Sequence, residues 1–447
     1  MGRGLSRPPF FYGWLIVAVA ILAMMAGGGG LNYSFGALMS PMSAELGWSR
    51  AQISGAITLA GLMGALSGPW FGRRVDRAGG RYITAVCAVL GGATLLGVSR
   101  ATELWQLYLL YGVALGLLMP GIGLSATTAV ANWFVRKRPQ ATAIASFGVP
   151  LGGLAVLPLT QFLIGALDWR AAWVGLAGVM AILLAIPAAL LIRRRPEDVG
   201  LLPDGAAFAA GADAQARQAT LAASLSKEPR WSARQAMATP AFWLLLASFS
   251  LTSMGILAFL TNGQSHFITA GASPGTAAGA LSFFAFGTVA ARLVWAPAAA
   301  KIGSRRAVVM AAGFAGLALF AVAFSRSPAA MYISSAALGA GLGGLTPLQM
   351  QIWPDYYGRL SVGVVRGSAG SFQAMVGALG PFVAGGIFDL SGSYSVAFAI
   401  FGSANLIAAT LAFFARQPAP PLALPSTPGE SLAPPGPPAP EGPAQSR

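Results

Sequence analysis

One arginine lies in the middle of an otherwise apolar stretch. Arg292 belongs to the segment FFAFGTVAARLVWAP, residues 283–297, which has the composition of a membrane-spanning helix. A guanidinium group stays charged at any biological pH, and placing it near the centre of a bilayer costs at least about 2.5–3.5 kcal/mol. The residue therefore predicts an anion-binding site. The alternative is an arginine tied to backbone carbonyls or helix dipoles.

Two other patterns suggest catalysis but lack the parts that catalysis needs. GASPG, residues 271–275, has the spacing of a serine-nucleophile motif, yet Pro274 after the serine has no backbone N–H to stabilise an oxyanion. GGGG, residues 27–30, has no lysine nearby, as a phosphate loop would. A single histidine and a single cysteine cannot build a zinc site of the usual kind. We predict no enzymatic activity, no metal and no cofactor.

The elements that must position Arg292 are helices in a membrane. Of the 447 residues, 55% are hydrophobic and only 9% are charged, whereas soluble proteins carry about 25% charged residues. Apolar runs of about 20 residues predict spanning helices. We place twelve, near 14–38, 50–71, 82–99, 104–131, 141–165, 170–192, 241–265, 275–299, 307–325, 329–352, 367–388 and 394–415. The predicted fold class is an all-α polytopic membrane protein.

The basic residues fall mainly on one side of these spans. We call this side the basic face; it carries Arg3, Arg7, Arg73, Arg74, Arg77, Arg81, Arg136, Lys137, Arg138, Arg193, Arg194, Arg195, Lys227, Arg230, Arg234, Lys301, Arg305, Arg306 and Arg359. The opposite face carries Arg50, Arg100, Arg170 and Arg326. Since short cytoplasmic loops are rich in Lys and Arg, both termini are predicted to be cytoplasmic. The net charge of +15 follows from this topology, and no soluble basic domain is present to bind nucleic acid.

The two halves of the chain resemble each other. DRAGGR (76–81) follows the second span and AKIGSRR (300–306) follows the eighth, with Gly79 and Gly303 separated by 224 positions. This repeat predicts two six-helix bundles related by pseudo-symmetry, with a ligand held between them. The predicted parts are an N-terminus at 1–13, bundles at 14–192 and 241–415, a cytoplasmic central loop at 193–240 and a disordered, Pro-rich cytoplasmic tail at 416–447.

GRRVDRAGGR, residues 72–81, resembles the signature loop of the major facilitator superfamily, G-x-x-x-D-R-x-G-x-R. The pattern is matched at Gly72, Asp76, Arg77, Gly79 and Arg81. The resemblance implies a major facilitator fold in which this loop latches the cytoplasmic gate of the outward-open state. A second copy keeps Lys301, Gly303 and Arg305. It has Ala296 and Ala300 in place of the glycine and aspartate, so its latch is expected to be weaker or absent.

Finer features resemble one branch of this superfamily, the bacterial monocarboxylate porters and oxalate/formate antiporters. They are FFYGW (10–14), RRPEDVGLLPDG (194–205) and the arginine in the eighth span. The resemblance covers roughly residues 10–415. It implies a secondary active transporter of a small organic anion in a bacterial inner membrane, working by alternating access, with Arg292 binding the substrate carboxylate.

Two departures from that branch affect the predicted mechanism. Thr288 stands where some proton-coupled relatives carry an aspartate, one helical turn before the arginine. The eleventh span, 367–388, lacks the lysine that oxalate-type relatives use for a second carboxylate. We therefore predict a monocarboxylate, with proton symport and anion exchange both open. The alternative function is an efflux antiporter for amphipathic compounds.

Other polar side chains could complete the site, because the family builds its cavity largely from spans one, four, seven and ten. The candidates are Asn32, Tyr33, Tyr108, Tyr111, Asn262, Gln264, Tyr332 and Gln349. His266 could couple protons or form an outer gate, or it could be an interfacial histidine without a special role. The expected partners are the organic anion, protons and membrane lipid, and the chain is expected to function as a monomer.

Overall fold

A computed structural model describes residues 11–134, 137–199, 201, 231–358 and 362–419. The described part contains twelve helices that are long and apolar enough to cross a membrane, and no strand. We number them α1 (Gly13–Leu46), α2 (Arg50–Ala78), α3 (Arg81–Val98), α4 (Leu104–Trp133), α5 (Gln140–Ala166), α6 (Trp169–Leu191), α7 (Pro240–Thr269), α8 (Pro274–Ile302), α9 (Ser304–Phe324), α10 (Pro328–Tyr357), α11 (Val362–Ser391) and α12 (Tyr394–Phe414). The predicted all-α, twelve-span fold is confirmed. Most of the predicted tail and central loop lies outside the described residues.

Helices on the opposite face begin at short polar residues that cap them. Ser49, Ser273 and Ser327 each accept a hydrogen bond from a backbone N–H of the first turn, before α2, α8 and α10 respectively. A proline follows the cap directly in α8 and α10, where its missing N–H costs no hydrogen bond. The capping serines therefore define the first residues of α2, α8 and α10.

The twelve helices form two bundles, each around its own buried core. The first bundle, α1–α6, has a core of residues between Ile16 and Ile192. The second bundle, α7–α12, has a core of residues between Trp231 and Ala415, which also takes in Tyr33, Ala37 and Leu157 of the first bundle. Large apolar side chains such as Leu66 and Leu390 remain exposed, as expected for surfaces that face lipid.

Glycines allow α1 and α5 to pack backbone against backbone. A Cβ atom on Gly29 would lie 2.1 Å from the carbonyl oxygen of Val149, and one on Gly152 would lie 2.4 Å from the backbone nitrogen of Gly30. The Gly-rich segment Met24–Gly30 of α1 is wound as a π-helix. These glycines therefore serve close helix packing, as in α8 and α10, where Gly339 approaches the Phe284 carbonyl.

The ends of α2 and α8 are built alike, which supports the internal repeat. Gly79 ends α2 with φ 79° and ψ 164°, and Gly303 ends α8 with φ 87° and ψ 147°. L-residues with a side chain rarely adopt a positive φ. The glycine shared by the two copies of the loop therefore makes the same turn in both halves.

The two bundles meet near the opposite face. Both carboxylate oxygens of Asp389, at the end of α11, accept backbone N–H groups at the start of α2: Oδ1 from Arg50 (3.1 Å) and Oδ2 from Ala51 (2.9 Å). Two further hydrogen bonds join the bundles below this point, from Thr58 Oγ1 to the Ala378 carbonyl (2.6 Å) and from Ser265 Oγ to the Gly36 carbonyl (3.3 Å).

The contacts between α2 and α11 that the structure describes lie in the halves of these helices nearer the opposite face. Besides the Asp389 and Thr58 hydrogen bonds, Gly61 of α2 lies close to Ala378 of α11. The bundles are therefore closed against each other at the opposite face.

Candidate functional site

Arg292 reaches from the second bundle to the first. Its Nη1 donates a hydrogen bond to Ser146 Oγ of α5 at 2.5 Å. The α-helix of α5 is interrupted by a turn at Ser146 and Phe147, and Ser146 Oγ in turn donates to the Ala143 carbonyl at 2.7 Å. The break in α5 thus presents a hydroxyl acceptor to the guanidinium.

One aromatic ring contacts the same guanidinium. Its central carbon lies 5.0 Å from the centroid of the Phe147 ring, within the range of a cation–π contact. Nearby, the buried Tyr33 of α1 places its ring 6.1 Å from that of Phe284 in α8. The guanidinium of α8 is therefore held by two adjacent residues of α5.

The Arg292 charge has no carboxylate partner in the described part of the chain. Its Nε is buried and has no hydrogen-bond partner there. The one ion pair between described side chains, Arg170 with Glu45, lies at the opposite face within the first bundle. A partly buried charge with a buried, unused donor is costly unless something binds it, so the arrangement favours an external anion over a purely structural role.

Two cavities lie between the helices, one in each bundle, on the surfaces where the two bundles oppose each other. The first, of about 330 Å³, is enclosed by α1, α2 and α4, with Leu257 of α7. Among the predicted site residues it contains Asn32 and Tyr111. Asn32 Nδ2 donates to the Gly28 carbonyl at 2.5 Å, and the buried Tyr111 ring packs on Phe35 at 4.9 Å. The rest of this wall is apolar or glycine.

The second cavity, of about 440 Å³, is enclosed by α7, α10 and α11. Three polar side chains form a chain of hydrogen bonds on its wall. Gln349 Nε2 donates to Gln373 Oε1 at 2.5 Å, and Gln373 Nε2 donates to Ser253 Oγ at 2.7 Å. Sequence reasoning named Gln349 but missed Ser253 and Gln373. Both are polar residues inside predicted apolar spans, and this property could have identified them as candidate binding residues.

Asn262 and Gln264 lie in the closed contact between the bundles and line neither of these cavities. Both are fully buried. Asn262 Oδ1 accepts from Ser54 Oγ at 3.4 Å, and Gln264 Nε2 donates to Gln161 Oε1 at 2.6 Å. In this conformation they hold the two bundles together.

Tyr332 and Tyr108 lie apart from the cavities. The Tyr332 ring stacks on Phe283 at 5.0 Å, and Phe283 is itself exposed to the lipid side. Tyr108 donates to the Gln52 carbonyl at 2.9 Å. The sequence indicates which span each tyrosine belongs to but not the direction in which its side chain points. Both residues were therefore predicted as candidate binding residues.

His266 lies inside the second bundle. Only 1% of its surface is exposed, its Nε2 is 3.0 Å from the Val322 carbonyl of α9, and its ring packs on Phe398 of α12 at 5.1 Å. These contacts all fall within one bundle. The position differs from the interfacial histidine that the sequence suggested, and it favours a packing role over an outer gate.

The residues of the signature loop lie where the sequence placed them, at the basic-face ends of α2 and α3. Arg77 is exposed, and Arg81 Nε donates to the Ala189 carbonyl at 2.6 Å. In the second copy Lys301 is exposed and Arg305 is half-buried. The side chain of Asp76 lies outside the described part of the structure, so the latch itself stays a prediction.

Comparison with known proteins decides the family. The model of the "Major Facilitator Superfamily" matches residues 14–270 and 260–443. The chain belongs to the major facilitator superfamily. It is therefore a transporter and not an enzyme, as the sequence predicted.

Curated members of this superfamily that resemble the chain are named as carboxylate transporters. The chain is 28% identical to the oxalate:formate antiporter of Oxalobacter formigenes over 62% of its own length and 59% of that protein. It is 27% identical to human monocarboxylate transporter 1 over 40% of its length and 35% of that protein. It is 24% identical to bovine monocarboxylate transporter 13, over 88% and 86% of the two chains. The first two matches span 59% and 35% of those relatives.

Solved structures of other superfamily members share the fold. The nucleoside transporter NupG superposes with a TM-score of 0.65 at 13% identity, covering 91% of this chain and 100% of that one. A bacterial homologue of the human lysosomal transporter Spinster, in an inward-facing and occupied conformation, superposes with a TM-score of 0.63 at 16% identity, covering 90% and 96%.

Proposed function

We propose that this protein is a secondary active transporter of a small monocarboxylate, driven by proton symport or by anion exchange. The observation that carries the proposal is the Arg292 guanidinium. It lies within α8, bridges the two bundles through Ser146, and keeps a buried Nε without a partner among the described residues. A planar guanidinium binds a carboxylate with two parallel hydrogen bonds, which fits the missing counter-ion.

The proposed mechanism is alternating access between the basic face and the opposite face. We take the basic face to be cytoplasmic and the membrane to be a bacterial inner membrane. The closed contact at Asp389 then corresponds to a state open to the cytoplasm. Because Arg292 contacts both bundles, an anion bound there would face one side of the membrane in one state and the opposite side in the other state. The chain is proposed to act as a monomer.

We propose a preference for acids with one carboxylate over acids with two, because few cations are available to bind them. Arg292 is the cation that joins α8 to α5, and none of the described residues that line the two cavities is charged. A second carboxylate would lose its hydration without gaining a cation. Formate, acetate, lactate and pyruvate are therefore suitable probes, and oxalate and malonate are the contrast.

A second candidate function is efflux of amphipathic compounds, favoured by the apolar wall of the first cavity.

Counterflow in liposomes separates the two functions. Proteoliposomes are loaded with an unlabelled monocarboxylate, and entry of the labelled acid is followed. The proposal predicts saturable counterflow that is lost in Arg292→Gln. Absence of counterflow for every acid in a wild-type sample that is folded would reject it and favour efflux.

A further inference from the structure

We propose that the second cavity binds a neutral, oxygen-bearing group of the transported acid, a hydroxyl or a carbonyl. This inference rests on the proposed function, because it assigns a second contact to the substrate that Arg292 holds. The residues that would make this contact are Ser253, Gln349 and Gln373.

The wall of this cavity has hydrogen-bonding groups left over. Each glutamine amide has two N–H donors, and Gln349 and Gln373 each use one in the chain that ends at Ser253. The Ser253 hydroxyl accepts from Gln373 and keeps its own proton. Gln349 Oε1 has no hydrogen-bond partner among the described residues. Donors therefore outnumber acceptors around the cavity.

Trp353 belongs to the same wall. It is 1% exposed, and its ring is held by Phe242 and Tyr357 at 5.7 and 5.9 Å. Its indole N–H is fully buried, so this residue gives the cavity ring surface and no reachable donor.

The described lining residues indicate the kind of group. None of them is charged. Among these residues a carboxylate would be desolvated without a cation. A hydroxyl or carbonyl oxygen accepts from the N–H groups at much lower cost, and a hydroxyl can also donate to Gln349 Oε1.

The cavity lies at the same depth as Arg292. Arg292 is ten residues from Ile302, the basic-face end of α8, which is about 15 Å at 1.5 Å per residue. Gln349 is eight residues from the end of α10, and Gln373 is eleven residues from the start of α11, about 12 and 17 Å. Arg292, Gln349 and Gln373 therefore lie at comparable distances along their helices from the basic-face ends.

The two contacts lie toward different edges of the second bundle. Arg292 lies in α8, which packs against α5, whereas Gln373 lies in α11, which packs against α2. The test therefore varies the position of the hydroxyl along the acid.

The test measures dissociation constants of the purified full chain for butyrate and for 2-, 3- and 4-hydroxybutyrate. We expect at least one hydroxy acid to bind tenfold or more tightly than butyrate. Gln373→Met removes the amide at similar length, and Ser253→Ala removes the end of the chain. Each variant is expected to reduce that preference to less than threefold while the affinity for butyrate changes by less than twofold.

Gln161→Met is the matched control, because it breaks another Gln–Gln hydrogen bond between helices, to Gln264, outside the cavity. It is expected to keep the preference for the hydroxy acid. If wild type binds all four acids equally and Arg292→Gln abolishes this binding, the cavity inference is wrong and the proposed function stands. If folded wild type binds none of these acids or the short monocarboxylates, both are wrong.

Discussion

Arg292 of the second bundle and Ser146 of the first are joined by a hydrogen bond of 2.5 Å. The arginine lies within α8, and the serine lies in the turn that interrupts α5. One contact therefore combines the charge proposed to hold the substrate with the boundary along which the bundles must move. Its two residues are 146 positions apart, so the pairing could not be foreseen from either segment alone.

Ser146→Ala is expected to weaken binding of a monocarboxylate about tenfold, because a hydrogen bond to a charged group contributes about 1.5–3 kcal/mol and this one orients the guanidinium. The maximal transport rate should change less than the affinity. The measurement is the concentration dependence of counterflow. Ser146→Thr keeps the hydroxyl and is expected to retain most of the affinity. An unchanged affinity in Ser146→Ala would mean that the Phe147 ring suffices to orient Arg292.

Asp389→Asn is expected to open the contact at the opposite face more often. The carboxylate accepts two backbone N–H groups at the start of α2, and an amide keeps one acceptor oxygen and loses the charge that favours a helix N-terminus. A loss of about 1 kcal/mol corresponds to roughly a fivefold change in the population of the open state.

The opening can be measured by the labelling rate of a cysteine at Ser54, a buried residue of the same contact. Cys87→Ser supplies a cysteine-free background, since Cys87 is the single cysteine. A membrane-impermeant maleimide should label the Asp389→Asn variant several times faster. Asp168→Asn is the control, because Asp168 caps α6 within one bundle. Equal rates in wild type and Asp389→Asn would contradict the role of this contact.

His266→Gln is expected to leave the pH dependence of transport unchanged. The ring is buried against Phe398 and bonds to the Val322 carbonyl, and a glutamine amide can donate to the same carbonyl. Initial rates of uptake between pH 5 and 8 are the measurement. A flattened profile in the variant, with the protein still folded, would make His266 the proton-coupling group that the sequence suggested as one alternative.

Gly29→Ala is expected to destabilise the first bundle, because its Cβ atom would lie 2.1 Å from the backbone oxygen of Val149. Backbone cannot yield as a flexible side chain does, and overpacking of this kind costs about 1–3 kcal/mol. Thermal unfolding should show a lower midpoint. Gly178→Ala in α6 is the control, since its Cβ atom would meet nothing within 4 Å. Equal midpoints would show that α1 and α5 can move apart without cost.

The sequence predicted the features that depend on composition and local pattern. The twelve spans and the family follow from hydrophobic runs and from the signature loop at residues 72–81. It also singled out Arg292, because a charge in an apolar run is conspicuous without any knowledge of its neighbours.

What the sequence could not supply is the direction that each side chain faces and what lies opposite. His266 has a polar side chain, yet it is buried inside the second bundle, and the Tyr332 ring stacks on the exposed Phe283. Ser253 and Gln373 are ordinary polar residues until the fold joins them across α7 and α11. Helix rotation and partner choice are set by packing between distant segments, which a single span does not encode.

The central claim is that Arg292 is the carboxylate-binding group, and thermal stabilisation by a panel of organic acids tests it most directly. A ligand that binds only the native state raises the melting temperature. The account predicts that a short monocarboxylate stabilises wild type and the control Arg326→Gln, whose arginine is exposed at the opposite face. Arg292→Gln, still folded, should show no shift, and Arg292→Lys a reduced one. A folded Arg292→Gln variant that is stabilised as much as wild type would contradict the account.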